Sequence, residues 1–272
     1  MPSPTQISPA QLNRLIGTPD CPVLIDVCID DDFNADPRLI PTARRHPFSR
    51  IGELTDELKG RRVVVICQKG KKLSAGAAAI LRSEGVAAES LEGGNYAWRD
   101  AGLPLVPVAN IPPLTADGHT LWVTRHRPKV DRIACPWLIR RFIDPNARFL
   151  FVPPSEVLEV AEKFAATPFD IEGVNWSHRG ENGELCTFDT MIDAWALRTD
   201  ALDRMATLVR GADTDRHDLA PEAAGLLAAS LGLSRMFRDD LAQLEAGMVI
   251  YDAFYRWARD AHEESHDWPV TK

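Results

Sequence analysis

Cysteine is sparse: Cys21, Cys28, Cys67, Cys135 and Cys186 are scattered, odd in number and form no CxxC pair. That pattern excludes a disulfide framework and a zinc ribbon and points to a reducing compartment. No apolar run is long enough to span a bilayer. The first ten residues carry no basic segment followed by an apolar one, as a signal peptide would. The expectation is a cytoplasmic protein without membrane partners. Basic charge is in deficit, with 31 Lys and Arg against 39 Asp and Glu and a net charge of −8. This argues against non-specific nucleic-acid binding by the whole chain, and no recognition-helix motif stands out. The apolar fraction, 45%, is that of a globular chain, and 272 residues make one large or two ordinary domains.

What is present is concentrated around Cys67. Residues 63–66 are β-branched throughout, as in a strand buried on both faces. Cys67 stands at its carboxyl end, where open α/β sheets bind ligands. Gly70 lets residues 68–72 curl, so Gln68, Lys69, Gly70, Lys71 and Lys72 are expected to surround the sulfur with N–H groups and positive potential. The following helix begins near Ser74, and its N-terminus adds to that field. All of this favours thiolate over thiol and makes Cys67 a nucleophile candidate.

Around this loop, strands and helices alternate. Ser8-Pro9-Ala10-Gln11 reads as N-cap, N1 proline and capping-box glutamine, with Gly17 as the stop. Residues 23–27 and 86–91 read as strands, and 51–58, 74–83 and 95–101 as helices. The alternation predicts a parallel sheet with helices on both faces. Three stretches then resemble a rhodanese domain: Leu24-Ile25-Asp26-Val27, the Cys67 loop with its helix, and Leu91 through Arg99 followed by Gly102-Leu103-Pro104. The resemblance covers about residues 5–108. It implies that Cys67 accepts sulfane sulfur from a small-molecule donor as a persulfide and passes it to a thiophilic acceptor. Phosphatases related to this fold place Arg six positions after the cysteine, where its fork clamps phosphate; here that position is Leu73. Cys28 stands where many rhodaneses have Arg. Lysines replace the frequent loop arginine, giving point charges in place of a bidentate grip.

Pro104, Pro107, Pro112, Pro113 and Gly118 mark a linker, giving domains 1–110 and 119–272. The second is expected to be mixed α+β and mostly helical toward its end. Residues 120–124 and 147–152 read as strands, 156–165 as a helix, and 169–178 with 185–188 as a hairpin. Residues 121–141 hold six basic residues against Asp131 alone. Pro136 suits the first position of a helix, which makes Cys135 its N-cap and a second polarised thiol. Arg125, Arg127, Lys129 and Arg132 would supply an anion-attracting pocket beside it. A hairpin would bring His178 near Cys186 and Asp189, so His178 and Asp189 are candidate ligands for a divalent metal, although no fixed spacing signature supports them. Residues 213–218 read as a solvated, capped turn. Residues 235–261 form a helix with a core stripe of Phe237, Leu241, Leu244, Met248, Tyr251 and Tyr255. Trp195, Trp257 and Trp268 are read as packing residues.

Trp122-Val123-Thr124-Arg125, Arg127 through Arg132, Ala134 through Ile139, Phe142-Ile143-Asp144, His178, Cys186 through Asp189 and Tyr251-Asp252-Ala253 resemble the C-terminal domain of the chromate-resistance protein family, over about residues 119–268. That resemblance implies a role in oxyanion or metal stress. Two readings follow: a sulfurtransferase in which Cys67 hands sulfur or electrons to Cys135, or a chromate-binding sensor whose first domain is a scaffold.

Overall fold

The computed structural model describes residues 5–181 and 183–264; Trp268 lies outside them. The first half runs β1 (Gln6–Ile7), α1 (Pro9–Asn13), β2 (Val23–Asp26), α2 (Asp30–Asn34), β3 (Arg38–Leu39), β4 (Arg44–Arg45), α3 (Thr55–Leu58), β5 (Arg62–Ile66), α4 (Lys72–Ser83), β6 (Ala87–Leu91), α5 (Gly94–Asp100) and β7 (Val106–Pro107). The predicted capping box opens α1, with Gln11 N–H donating to Ser8 Oγ and Ser8 N–H to Gln11 Oε1. Five strands form one sheet in the order β1-β6-β5-β2-β4, parallel throughout. β5 lies at its centre, and Val63, Val64, Val65 and Ile66 are all buried, as β-branched residues between two covered faces require. β7, inside the predicted linker, pairs antiparallel with β3 and so ties the end of the first domain to its own body.

The second half runs β8 (Leu121–Arg125), α6 (Asp131–Leu138), β9 (Arg148–Val152), α7 (Val157–Phe164), β10 (Thr167–Pro168), α8 (Thr187–Ala194), α9 (Asp200–Asp213), α10 (Ala223–Met236) and α11 (Asp240–Arg256). Its strands pair in the order β10-β8-β9, again all parallel, and helices dominate the rest. Trp122, Trp137 and Trp195 are fully buried in its core, as expected for Trp195, and Trp257 packs against that core.

Three expectations are corrected here. The hairpin expected over 169–188 is reduced to one antiparallel bridge, Arg179 to Leu185, because Cys186 caps α8 and Asp189 folds back onto the Cys186 N–H in a capping box. A short polar residue three positions before an acid is a helix start, and that signal outweighs the apolar look of the segment. Second, α6 begins at Asp131, so Cys135 and Pro136 lie inside the helix and Val130 is its N-cap. Third, the core stripe of α11 is Leu244, Gly247, Met248, Tyr251 and Tyr255; Phe237 precedes the helix and Leu241 is exposed.

The two halves share one continuous apolar core. Thr42 N–H donates to Phe142 O at 2.9 Å. Trp195 Nε1 donates to Asn110 O at 2.8 Å, and Asn110 Nδ2 to Ala194 O at 2.6 Å.

Candidate functional site

Cys67 is the residue after β5, at the carboxyl edge of the sheet, and is 4% exposed. Its Sγ lies 3.1 Å from Ser74 Oγ, and Ser74 is fully buried in the first turn of α4. The loop is braced from behind. Asn95 N–H donates to Cys67 O at 3.1 Å, and Tyr96 N–H to Gln68 O at 3.0 Å. This fit requires glycine. Gly70 and Gly94 have φ of +61° and +60°, and a Cβ on Gly94 would stand 2.0 Å from Cys67 O and 2.4 Å from Gly70 N. Lys69, Lys71 and Lys72 are exposed, and no carboxylate pairs with them among the described residues. The predicted amide ring is only partly realised. Gly70 N–H turns to Cys67 O, 3.4 Å away, and the hydroxyl of Ser74 is the partner of the sulfur among the described residues.

Behind this loop, Asp26 accepts from Cys28 N–H and Asn95 Nδ2, both at 2.8 Å, which locks α5 to the end of β2. Burial, then the Asp26 charge, pushes the Cys28 thiol far up, so it stays protonated. Burial likewise pushes Cys21 up to about 11.

The second domain gathers a different set. His178 Nε2 faces Asp213 at 3.2 Å, Asp170 at 3.5 Å and Asp131 at 3.6 Å. Its Nδ1 lies 3.2 Å from Gly183 O. Hydrogen bonds that the imidazole donates to Asp170 and Asp213 hold it protonated, up to about 11. Asp131 is 1% exposed and accepts from Thr187 N–H at 2.7 Å and Phe188 N–H at 3.1 Å, capping α8 from outside. Burial, then the charges of Asp213 and Asp170, push its carboxyl well up. Asp170 is opposed by burial but is held below the usual range by His178, Arg125 and Arg132.

Several expected site residues land elsewhere. Cys135 is fully buried, and burial followed by the Asp131 charge pushes its thiol far up. It donates to Asp131 Oδ1 at 3.5 Å, which is the behaviour of a packed thiol and not of a polarised N-cap nucleophile. Asp189 does not meet His178; its Oδ2 takes the Cys186 N–H at 3.2 Å. The arginines form no free anion pocket. Arg125 and Arg132 pair with Asp170 at 2.9 and 3.2 Å. Arg127 spends its guanidinium on Phe237 O, Ser234 O and Ser234 Oγ. Ser74, Asp131, Asp170 and Asp213 are candidate site residues that the sequence does not mark as such. Asp131 had a signal as the lone acid of the basic stretch, and Asp213 as the first residue of the acidic turn 213–218.

Residues 122–258 match the family described as "ChrB, C-terminal domain", and residues 8–101 match the rhodanese-like domain. Protein ChrB of Cupriavidus metallidurans is 33% identical over 135 residues, which are 49% of this chain and 39% of that protein. The chain thus spans well under half the length of that relative. A rhodanese-related protein from Thermoplasma volcanium is 25% identical over 37% of this chain and 96% of its own, with a TM-score of 0.31. A thiosulfate sulfurtransferase from Pseudomonas aeruginosa is 28% identical over 38% of this chain and 19% of its own, with a TM-score of 0.32. Half of the chain falls within the first match, so it belongs to the family of the ChrB C-terminal domain, here joined to a rhodanese-like domain.

Proposed function

We propose that the protein is a sulfurtransferase working through a persulfide on Cys67, in a reducing cytoplasmic setting and in the service of chromate or related oxyanion and metal stress. The observation that carries this reading is the seat of Cys67. A sulfur at a sheet edge has a buried hydroxyl 3.1 Å away, in a loop whose close approaches only glycine permits, beside three ammonium groups with which no carboxylate pairs among the described residues. The Cys67 thiolate attacks the sulfane sulfur of a donor such as thiosulfate. The new S–S bond forms as the donor's S–S bond breaks, and sulfite leaves with the electron pair. A thiophilic acceptor then attacks the outer sulfur and returns Cys67 as thiolate. Ser74 Oγ–H donates to the charged sulfur, and the lysines lower the energy of the leaving anion. Cys135 takes no part, since it is sealed from solvent and held protonated. The test is thiocyanate formation from thiosulfate and cyanide by wild type and by Cys67→Ser. Activity in wild type and none in the variant is the expected result; equal rates would end the proposal.

A further inference from the structure

We propose that Asp131, Asp170 and His178, with Asp213 as a fourth ligand, bind a divalent first-row transition-metal ion in the second domain. This goes beyond sulfur transfer and does not depend on it.

The four residues come from four separate segments: the first residue of α6, the loop after β10, the long connection before α8, and the last residue of α9. One ligand atom from each of Asp131, Asp170 and His178 lies within 4.8 Å of the other two, a spacing a single ion can bridge. The imidazole is oriented as metal-bound histidines are, with Nδ1 on the Gly183 carbonyl and Nε2 turned to the carboxylates; the ion takes the place of the Nε2 proton, which binding releases to solvent. Asp131 and Asp170 are buried, whereas the His178 side chain is 31% exposed, which leaves a way in from solvent.

The helix end that Asp131 caps holds a further buried acid. Asp189 is 1% exposed, and its Oδ1 has no hydrogen-bond partner among the described residues; Arg210 approaches it only to 3.9 Å. Its other oxygen sits on the Cys186 N–H, next to the Thr187 and Phe188 N–H groups that Asp131 takes. Two buried carboxylates, Asp131 and Asp189, therefore share one helix end, with His178 3.6 Å from Asp131 and Arg210 3.9 Å from Asp189. A divalent ion at the His178 cluster offsets the Asp131 part of that charge.

The donor set selects the metal. Three carboxylates and one imidazole suit Mn2+, Fe2+ or Zn2+. The nearby thiols, Cys135 and Cys186, are hydrogen-bond donors to Asp131 and Asp189 and are not ligands.

Elemental analysis of the full chain as purified, then titration of chelator-treated protein with Zn2+, Mn2+ and Co2+, tests this. The expected result is one ion per chain, a raised melting midpoint, and a Co2+ spectrum with d–d bands but no thiolate charge-transfer band. His178→Gln should weaken binding about 100-fold and Asp213→Asn, at the partly exposed rim, about 10-fold. Asp215→Asn, on an exposed side chain, should change nothing. Absence of binding by all three ions, a thiolate band, or undiminished binding by both His178→Gln and Asp213→Asn would each overturn the assignment.

Discussion

Gly94 sets the geometry of the Cys67 loop more tightly than any charged residue does. With φ at +60° and a would-be Cβ 2.0 Å from Cys67 O, Gly94→Ala must move backbone, and no flexible side chain can yield instead. The expected cost is about 2–3 kcal/mol in urea unfolding, with loss of sulfur transfer. Ser74→Ala tests the other side of the sulfur. It removes a single hydroxyl 3.1 Å from Sγ, and one hydrogen bond is worth about 1 kcal/mol, so kcat/KM should fall about five-fold with the fold intact. Cys21 gives a pH signature. Its folded value of about 11 lies above the ordinary thiol value of 9.0, so the half-buried neutral thiol stabilises the fold fully below pH 9. That contribution is lost as pH rises from 9 to 11, and Cys21→Ala should flatten this part of the urea-midpoint profile. At this scale the candidate cysteine was legible and its hydroxyl partner was not. Cys67 is marked by the β-branched run before it, whereas Ser74 is one small polar residue in a helix, and only the curl of the loop brings it to the sulfur.

Elements were read well where local chemistry agreed with the pattern. The β5 run, the α1 capping box and the parallel pairing all stand as sequence logic places them. The failures cluster in the second domain, where one element's boundary depends on another's side chain. The N-terminus of α8 is capped by Asp131 from α6 as well as by its own Cys186 and Asp189, and no local window contains that pairing. Pro136 resembles an N1 proline, but Asp131 starts the helix earlier, and the fold tolerates the proline within it. α11 is held to α6 and the turn after it in a way that can be measured. Asp252 accepts two bonds from Arg141, at 2.7 and 2.8 Å, and one from Trp137 Nε1 at 2.9 Å. Asp252→Ala leaves a half-buried guanidinium unpaired and should cost about 3 kcal/mol, read as a lower melting midpoint.

At the scale of the molecule, the sequence reads as two domains with a proline-rich join and does not reveal that the two halves pack together. The contact is carried by residues with no shared signature. Gly17 at φ +79° faces Phe142 and Tyr255, and a Cβ there would lie 2.5 Å from Phe142 Cζ. The Trp195–Asn110 pair closes the other side. Gly17→Ala should therefore destabilise both halves together, in one calorimetric transition that coincides for probes in either domain. Separate transitions would show that the shared core does not couple them. The packed arrangement also places Cys67 and the His178 cluster on different halves of the molecule, so each can be tested with the other intact. The most direct measurement is intact-mass and peptide analysis after incubation with thiosulfate. The account predicts the added mass of one sulfur atom, confined to the Cys67 peptide, removable by cyanide and absent in Cys67→Ser. No adduct at Cys67, or one that persists when Cys67 is replaced, would contradict it.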